Sequence, residues 1–151
     1  MKKMIYFDMD GTIADLYGIE DWLPRLRSAD PSPYIEAKPL LRLSDLARAL
    51  HKLQALGFKI GVISWGSLGA SADYDIAVEK AKREWLRRHL ASVDFDEITI
   101  SPYGIPKSTL ASEIGILFDD NEKIRQEWED NGGVAYDVDN ILEILRNLRQ
   151  G

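Results

Sequence analysis

The chain has 151 residues, a net charge of −6 and no cysteine, with a sequence pI near 4.9. That length suits one domain with a real core, and the missing cysteines exclude disulfides, thiolate nucleophiles and cysteine zinc sites. The acidic balance argues against nonspecific binding to a nucleic-acid polymer or a membrane surface, while a bound cation would still admit a small phosphorylated molecule.

In chain order, "MIYFDM" (4–9) reads as a first strand. Its apolar run breaks at Asp8, too soon for a signal h-region of about 7–15 residues or a spanning helix of about 20. A cytoplasmic protein is therefore expected. The stretch 16–39 is irregular and holds four prolines, with one short helix near Asp21 to Arg27. It reads as a small insertion over one end of a sheet. Leu43, Leu46, Leu50, Leu53 and Leu56 recur at spacings of three and four, an amphipathic helix that Gly57 stops. "FKIGVIS" (58–64) is a second strand. The segment 74–90 puts Tyr74, Ala77, Val78, Ala81, Trp85 and Leu86 on one side of a helix. Strands come next at 96–101, 115–120 and 134–138, with a short helix at 122–131 ended by Gly132 and Gly133. A last helix (139–150) has Asp139 as its expected N-cap. Strands alternating with helices imply βαβ units and a mostly parallel sheet, with ligands bound beyond the carboxyl ends of the strands.

The pattern D-x-D occurs four times among 15 aspartates. Asp73/Asp75 opens a helix, where carboxylates complement the dipole. Asp94/Asp96 lies in a loop, and Asp139 of the fourth pair is explained as a cap. Asp8/Asp10 differs: it closes an apolar strand and runs straight into Gly11-Thr12. The glycine permits a sharp turn that aims both carboxylates at one point. Two carboxylates about 4 Å apart repel by roughly 4 kcal/mol at an effective dielectric of 20. "GILFDDNEK" ends another strand in Asp119 and Asp120, and acids gathered at strand ends call for a hard cation. Oxygen ligands without cysteine point to Mg²⁺. The competing reading of "DDNE" is a capping box, with Asp119 at the N-cap and Glu122 three residues on. Ser64 ends the second strand and precedes Trp65, Gly66 and Ser67, where a hydroxyl and backbone N–H groups suit phosphate oxygens. Lys107 precedes the acidic strand by a short turn or helix and would offset carboxylates and phosphate together.

The order strand-DMDGT, strand-Ser, Lys, strand-Asp-Asp resembles the haloacid dehalogenase (HAD) superfamily of aspartate-nucleophile phosphohydrolases. "DMDGT" (8–12) is similar to its first motif, Ser64 to its second, Lys107 to its third and Asp119-Asp120 to its fourth. The likeness runs from Met4 to about Asp139. It implies a three-layer, Rossmann-like fold with a five-stranded, mostly parallel sheet, one domain over 1–151, and a very small helical cap at about 16–39. It implies hydrolysis of a phosphomonoester through an aspartyl-phosphate. Asp8 would be the nucleophile and Asp10 the acid and base. Mg²⁺ would rest on Asp8, the main-chain carbonyl of Asp10 and Asp119, with Asp120 in support. Thr12, Ser64, Trp65 and Lys107 would bind the phosphoryl group, Lys107 also neutralising Asp8. "LLRLSDL" and "LFDDNEK" are similar to the 5′(3′)-deoxyribonucleotidase branch, which implies a small phosphorylated metabolite with (deoxy)nucleotides to be tested first. Tyr17, Trp22, Tyr34 and Trp65 would stack on a base or pack within the insertion. A minimal cap leaves the site open to a larger substrate or to closure by a second subunit in a homo-oligomer. The alternatives are a catalytically idle relative and a receiver-like phospho-acceptor module, the latter needing its acid on a middle strand.

Overall fold

A computed structural model of the protein describes residues 2–151. β1 (Met4–Phe7) is followed by β2 (Ala14–Asp15), α1 (Trp22–Arg27), α2 (Ser32–Glu36) and β3 (Lys38–Pro39). Then come α3 (Leu43–Ala55), β4 (Lys59–Trp65), α4 (Ala72–His89), β5 (Glu97–Ser101), α5 (Lys107–Leu110), β6 (Ile116–Phe118), α6 (Glu122–Asp130), β7 (Val134–Tyr136) and α7 (Ile141–Gln150).

Five strands form one sheet in the order β5-β4-β1-β6-β7, and every neighbouring pair is parallel. The chain leaves β1 toward β4 and β5, then returns past β1 to β6 and β7. The direction of winding therefore reverses between β1 and β6, the switch point where open α/β sheets bind ligands. Among these five strands the first in sequence is central. A receiver-type sheet has the order 2-1-3-4-5, so the receiver-like alternative does not fit this topology.

β1 is buried along its whole length because helices cover both faces of the sheet. Ile5 and Phe7 join Leu46, Leu50, Trp85 and Leu145 on the side of α3, α4 and α7. Met4 and Tyr6 join Leu117 and Trp128 on the side of α5 and α6. Full burial of each large apolar side chain stabilises the fold by roughly 1.5–3 kcal/mol. No helix among the described residues is long and apolar enough to cross a membrane.

The segment after β1 holds more order than its composition suggests. Where the sequence points to one short helix, the structure has α1, α2 and a 3-10 turn at Leu16–Gly18. The prolines do not break α2: Pro31 stands at its N-cap and Pro33 in its first turn, where a missing N–H leaves no bond unmade. Arg25 joins the two helices, its Nη2 lying 2.7 Å from Glu36 Oε2 and its Nε 3.1 Å from Asp30 Oδ2. β2 and β3 pair antiparallel, Ala14 with Pro39 and Asp15 with Lys38, and so clasp the two ends of the segment. Trp85 Nε1 donates to Ala37 O at 2.7 Å and fastens the returning strand to α4.

One expected cap moves. Asn140, not Asp139, holds the N-cap position of α7, and no side chain caps that helix. Burial of Ile141 and Leu145 sets where the helix begins.

Candidate active site

β1 and β6 run in register, with Phe7 opposite Phe118. Pairing continues one residue further: Asp8 N–H donates to Phe118 O at 3.0 Å, and Asp119 N–H to Tyr136 O at 3.1 Å. Asp8 and Asp119 thus leave adjacent strands at the same level, at the switch point. The turn after Asp8 is tight. The N–H groups of Thr12, Ile13 and Ala14 all donate to Met9 O at 3.0 Å. Gly11 adopts φ +80°, the left-handed region. A Cβ there would also collide with the Asp120 carboxylate. Glycine is therefore required for the turn and for Asp120 to close over it.

Lys107, 1% exposed, links the two strand ends. Its Nζ donates to Asp8 Oδ1 at 2.9 Å and to Asp119 Oδ2 at 2.7 Å. Burial by itself would lower its pKa, but Asp8 and Asp119 outweigh burial and hold the ammonium above its ordinary value. Two of its three hydrogens are used, which leaves one for a ligand. Thr12 Oγ1 donates to Asp8 Oδ2 at 3.0 Å, so this buried hydroxyl is directed at the Asp8 carboxylate.

Asp8, Asp119 and Asp120 each offer an oxygen, and these atoms lie within 4.8 Å of one another. Burial, then the Asp8 charge, raises Asp119 to about 6. Burial, then Asp8 and Asp119, raises Asp120 to about 7. Burial first, and the neighbouring acids second, thus disfavour their ionised forms. Among the described residues, the ion pairs of the group Asp8, Asp10, Asp119 and Asp120 are with Lys82 and Lys107, which leaves an excess of two negative charges that one divalent cation cancels. The donor set is all oxygen, so the residues fit Mg²⁺.

Asp119 and Asp120 do not cap α6. Asn121 does, its side chain accepting from Lys123 N at 2.9 Å and Ile124 N at 3.2 Å, while Asn121 N–H donates to Asp119 Oδ1 at 3.0 Å. The capping-box reading of "DDNE" fails for this reason, and both aspartates are left to the site.

The Asp10 carboxylate turns away from that group. Lys82 Nζ, from α4, donates to Asp10 Oδ2 at 2.8 Å, to Ser64 Oγ at 2.7 Å and to Trp65 O at 2.6 Å. Burial raises the Asp10 pKa; Lys82 opposes that shift and Asp8 adds to it. Asp10 and Ser64 are thereby held on one ammonium, on the opposite face of the sheet from Lys107. Ser64 is fully buried, and its hydroxyl hydrogen faces no other described partner.

Lys82 is absent from the sequence-level site. It sits in "VEKAKREWL", a helix whose apolar side is read from Val78, Ala81, Trp85 and Leu86 without it. A signal exists: Lys82 is four residues after Val78 and three before Trp85, both fully buried. A lysine on the apolar stripe of a helix needs a buried partner.

Beyond the carboxylates lies a cavity of about 690 Å³. Tyr17, Trp22, Tyr34 and Trp65 all line it, and Arg27 is the cation in its lining besides Lys107. Tyr17 and Trp22 meet edge to face at 5.0 Å, and Trp65 tilts against Tyr103 at 4.9 Å. Trp65 Nε1 donates to Ile105 O at 2.7 Å, and its ring lies 5.6 Å from Lys107 Nζ. Burial, then Asp10 and Asp120, raises the Tyr17 phenol well above its ordinary pKa, so it stays a donor over the site.

No family model and no curated protein matches the chain. Among solved structures it is similar to D,D-heptose 1,7-bisphosphate phosphatase from Burkholderia thailandensis. That match has a TM-score of 0.61 at 15% identity, covering 99% of this chain and 100% of the other. It is also similar to a structural-genomics target from Vibrio cholerae, with a TM-score of 0.45 at 22% identity over 85% and 98% of the two chains. The first likeness shows the fold: the expected HAD-like α/β arrangement around a five-stranded parallel sheet is the one this chain adopts.

Proposed function

We propose that the chain is a Mg²⁺-dependent phosphomonoester hydrolase that works through an aspartyl-phosphate. The observation that carries this reading is the bridge from Lys107 to Asp8 and Asp119 beside Asp120. It gathers a nucleophile, a counter-charge and a cation site at one strand junction. Sharing its fold with a bisphosphate phosphatase supports the same class of chemistry.

Asp8 attacks phosphorus, an O–P bond forming as the ester O–P bond breaks. Asp10 gives its proton to the departing alcohol, then takes one from the water that hydrolyses the acyl phosphate. Lys107 meets a phosphoryl oxygen with its free hydrogen, and the Ser64 hydroxyl and Trp65 N–H take others. Thr12 steadies Asp8 in its attacking orientation. Asp8, Asp119, Asp120 and the Asp10 carbonyl would hold Mg²⁺, which supplies charge neutralisation to the transferring group. Because Asp10 directs its carboxylate to Lys82, its share in the metal falls to the main chain. The chain acts as a single domain with 16–39 as a small cap.

The substrate is a small phosphorylated metabolite, and the aromatic lining by Tyr17, Trp22, Tyr34 and Trp65 favours a nucleotide base as its body. One arginine at the rim is a poor match to a second phosphate. The test is hydrolysis of p-nitrophenyl phosphate with Mg²⁺, repeated with EDTA and with Asp8→Asn, and then a panel of monoesters led by (deoxy)nucleotides. Both controls should abolish turnover. Equal rates for wild type and Asp8→Asn would discard the reading.

A further inference from the structure

Lys82 is 1% exposed. An ammonium so placed is costly to bury unless every hydrogen is paired. Here each is: Asp10 Oδ2, Ser64 Oγ and Trp65 O lie at 2.8, 2.7 and 2.6 Å. A lysine has three hydrogens to give, so none remains for a phosphoryl oxygen. In this Lys82 differs from Lys107, which keeps one. Its remaining side is covered by the ring of Tyr34, whose centroid lies 4.9 Å from Nζ. Tyr34 is itself fixed through its hydroxyl to Ser67 Oγ at 2.5 Å. The ammonium therefore has one geometry, set from α4, from the end of β4 and from α2.

The geometry points to Lys82 as a positioning residue that holds the Asp10 carboxylate, through Oδ2, beside the Ser64 hydroxyl, so that the proton donor and the phosphate-binding hydroxyl keep a fixed separation. This rests on the phosphatase reading above. It adds that Asp10 is aimed by a lysine on the helix following the second strand of the main sheet. In the first step Asp8 forms the new O–P bond, the ester O–P bond breaks, and the proton on Asp10 passes to the leaving oxygen. The Asp10 oxygen not held by Lys82 carries that proton.

Aim matters most where the leaving group needs the proton most. A p-nitrophenolate departs with little help, whereas an alkoxide does not. The experiment measures kcat/KM for p-nitrophenyl phosphate and for β-glycerophosphate in wild type, Lys82→Ala and Lys82→Met, with Mg²⁺ present and folding checked by thermal unfolding. Lys82→Met fills most of the lysine volume and keeps the core packed if the alanine variant unfolds. For the alkyl ester we expect a loss of about 100-fold, at the lower end of general-acid contributions. For the aryl ester the loss should stay below about tenfold. Added n-propylammonium, which carries the atoms removed by Lys82→Ala, should restore the alkyl-ester rate of that variant and leave Lys82→Met unchanged. Equal losses on the two esters would make Lys82 a merely structural residue and overturn the inference, as would no response to the amine. Wild type that hydrolyses neither ester would instead overturn the phosphatase reading itself, and this inference with it.

Discussion

Phe7 and Phe118 lie opposite each other on adjacent parallel strands, their rings stacked at 5.1 Å with 10° between planes. Both are fully buried. Each is followed at once by an aspartate, so the strand pairing that stacks the rings also sets Asp8 beside Asp119, and Lys107 then bridges the two.

Removing one ring should loosen that pairing. Phe118→Ala is expected to cost about 3–5 kcal/mol, the usual range for a buried phenylalanine. Urea unfolding of the metal-free protein gives the stability loss. The folded fraction should also bind Mg²⁺ more weakly, which a Mg²⁺ titration of the melting temperature detects.

Lys107→Ala leaves Asp8 and Asp119 buried without their shared cation. Breaking a buried pair costs about 3–5 kcal/mol, and losing one donor to the transition state lowers kcat by about 100-fold or more. Thermal unfolding in EDTA should show the full destabilisation. Mg²⁺ should recover part of it, because the ion cancels the same charges, while kcat stays low.

The metal-free protein should lose stability as pH rises. Asp119 and Asp120 are raised to about 6 and about 7 from an ordinary 3.8. A folded pKa above the unfolded one means that the native state binds protons more tightly. Stability from these groups is full below pH 3.8 and disappears as pH passes through 6 to 7. Ionised carboxylates are what Mg²⁺ binds, so the ion should raise the melting temperature more at about pH 8 than at about pH 5.5. An equal shift at the two pH values would contradict this assignment.

Asn121→Ala removes the α6 cap but keeps the backbone N–H that Asp119 accepts. Stability should fall by about 1 kcal/mol, with kcat within about twofold of wild type. A large kcat loss would mean that the asparagine side chain, and not its backbone, organises Asp119.

Most of this arrangement can be read from residues in sequence. The apolar runs "MIYF", "KIGVIS" and "GILF" mark the strands because a sheet covered on both faces shows no polar alternation. The residues just past each run (Asp8, Trp65-Gly66, Asp119) then lie at the carboxyl edge by necessity. Lys82 is harder to see because burial of one lysine depends on which partners meet it, here Asp10 from the turn after β1 and Ser64 and Trp65 from β4, a tertiary fact. The caps are hard to assign for a similar reason. Aspartate and asparagine cap almost equally well, so "DDNE" and "DVDN" do not reveal that Asn121 caps α6 and that Asn140 stands before α7. The second helix of the insertion is hidden by prolines, which break a helix interior and yet suit a helix start.

The ladder of Ala14–Asp15 against Lys38–Pro39 seals the base of everything between them. Chain 16–37 is thus a graft whose two ends already meet, pinned to the frame where Trp85 holds Ala37 and where Tyr34 packs over Lys82. A longer or differently shaped patch stitched to the same seam would alter which molecules reach the carboxylates, so long as it keeps an aromatic ring where Tyr34 lies over Lys82.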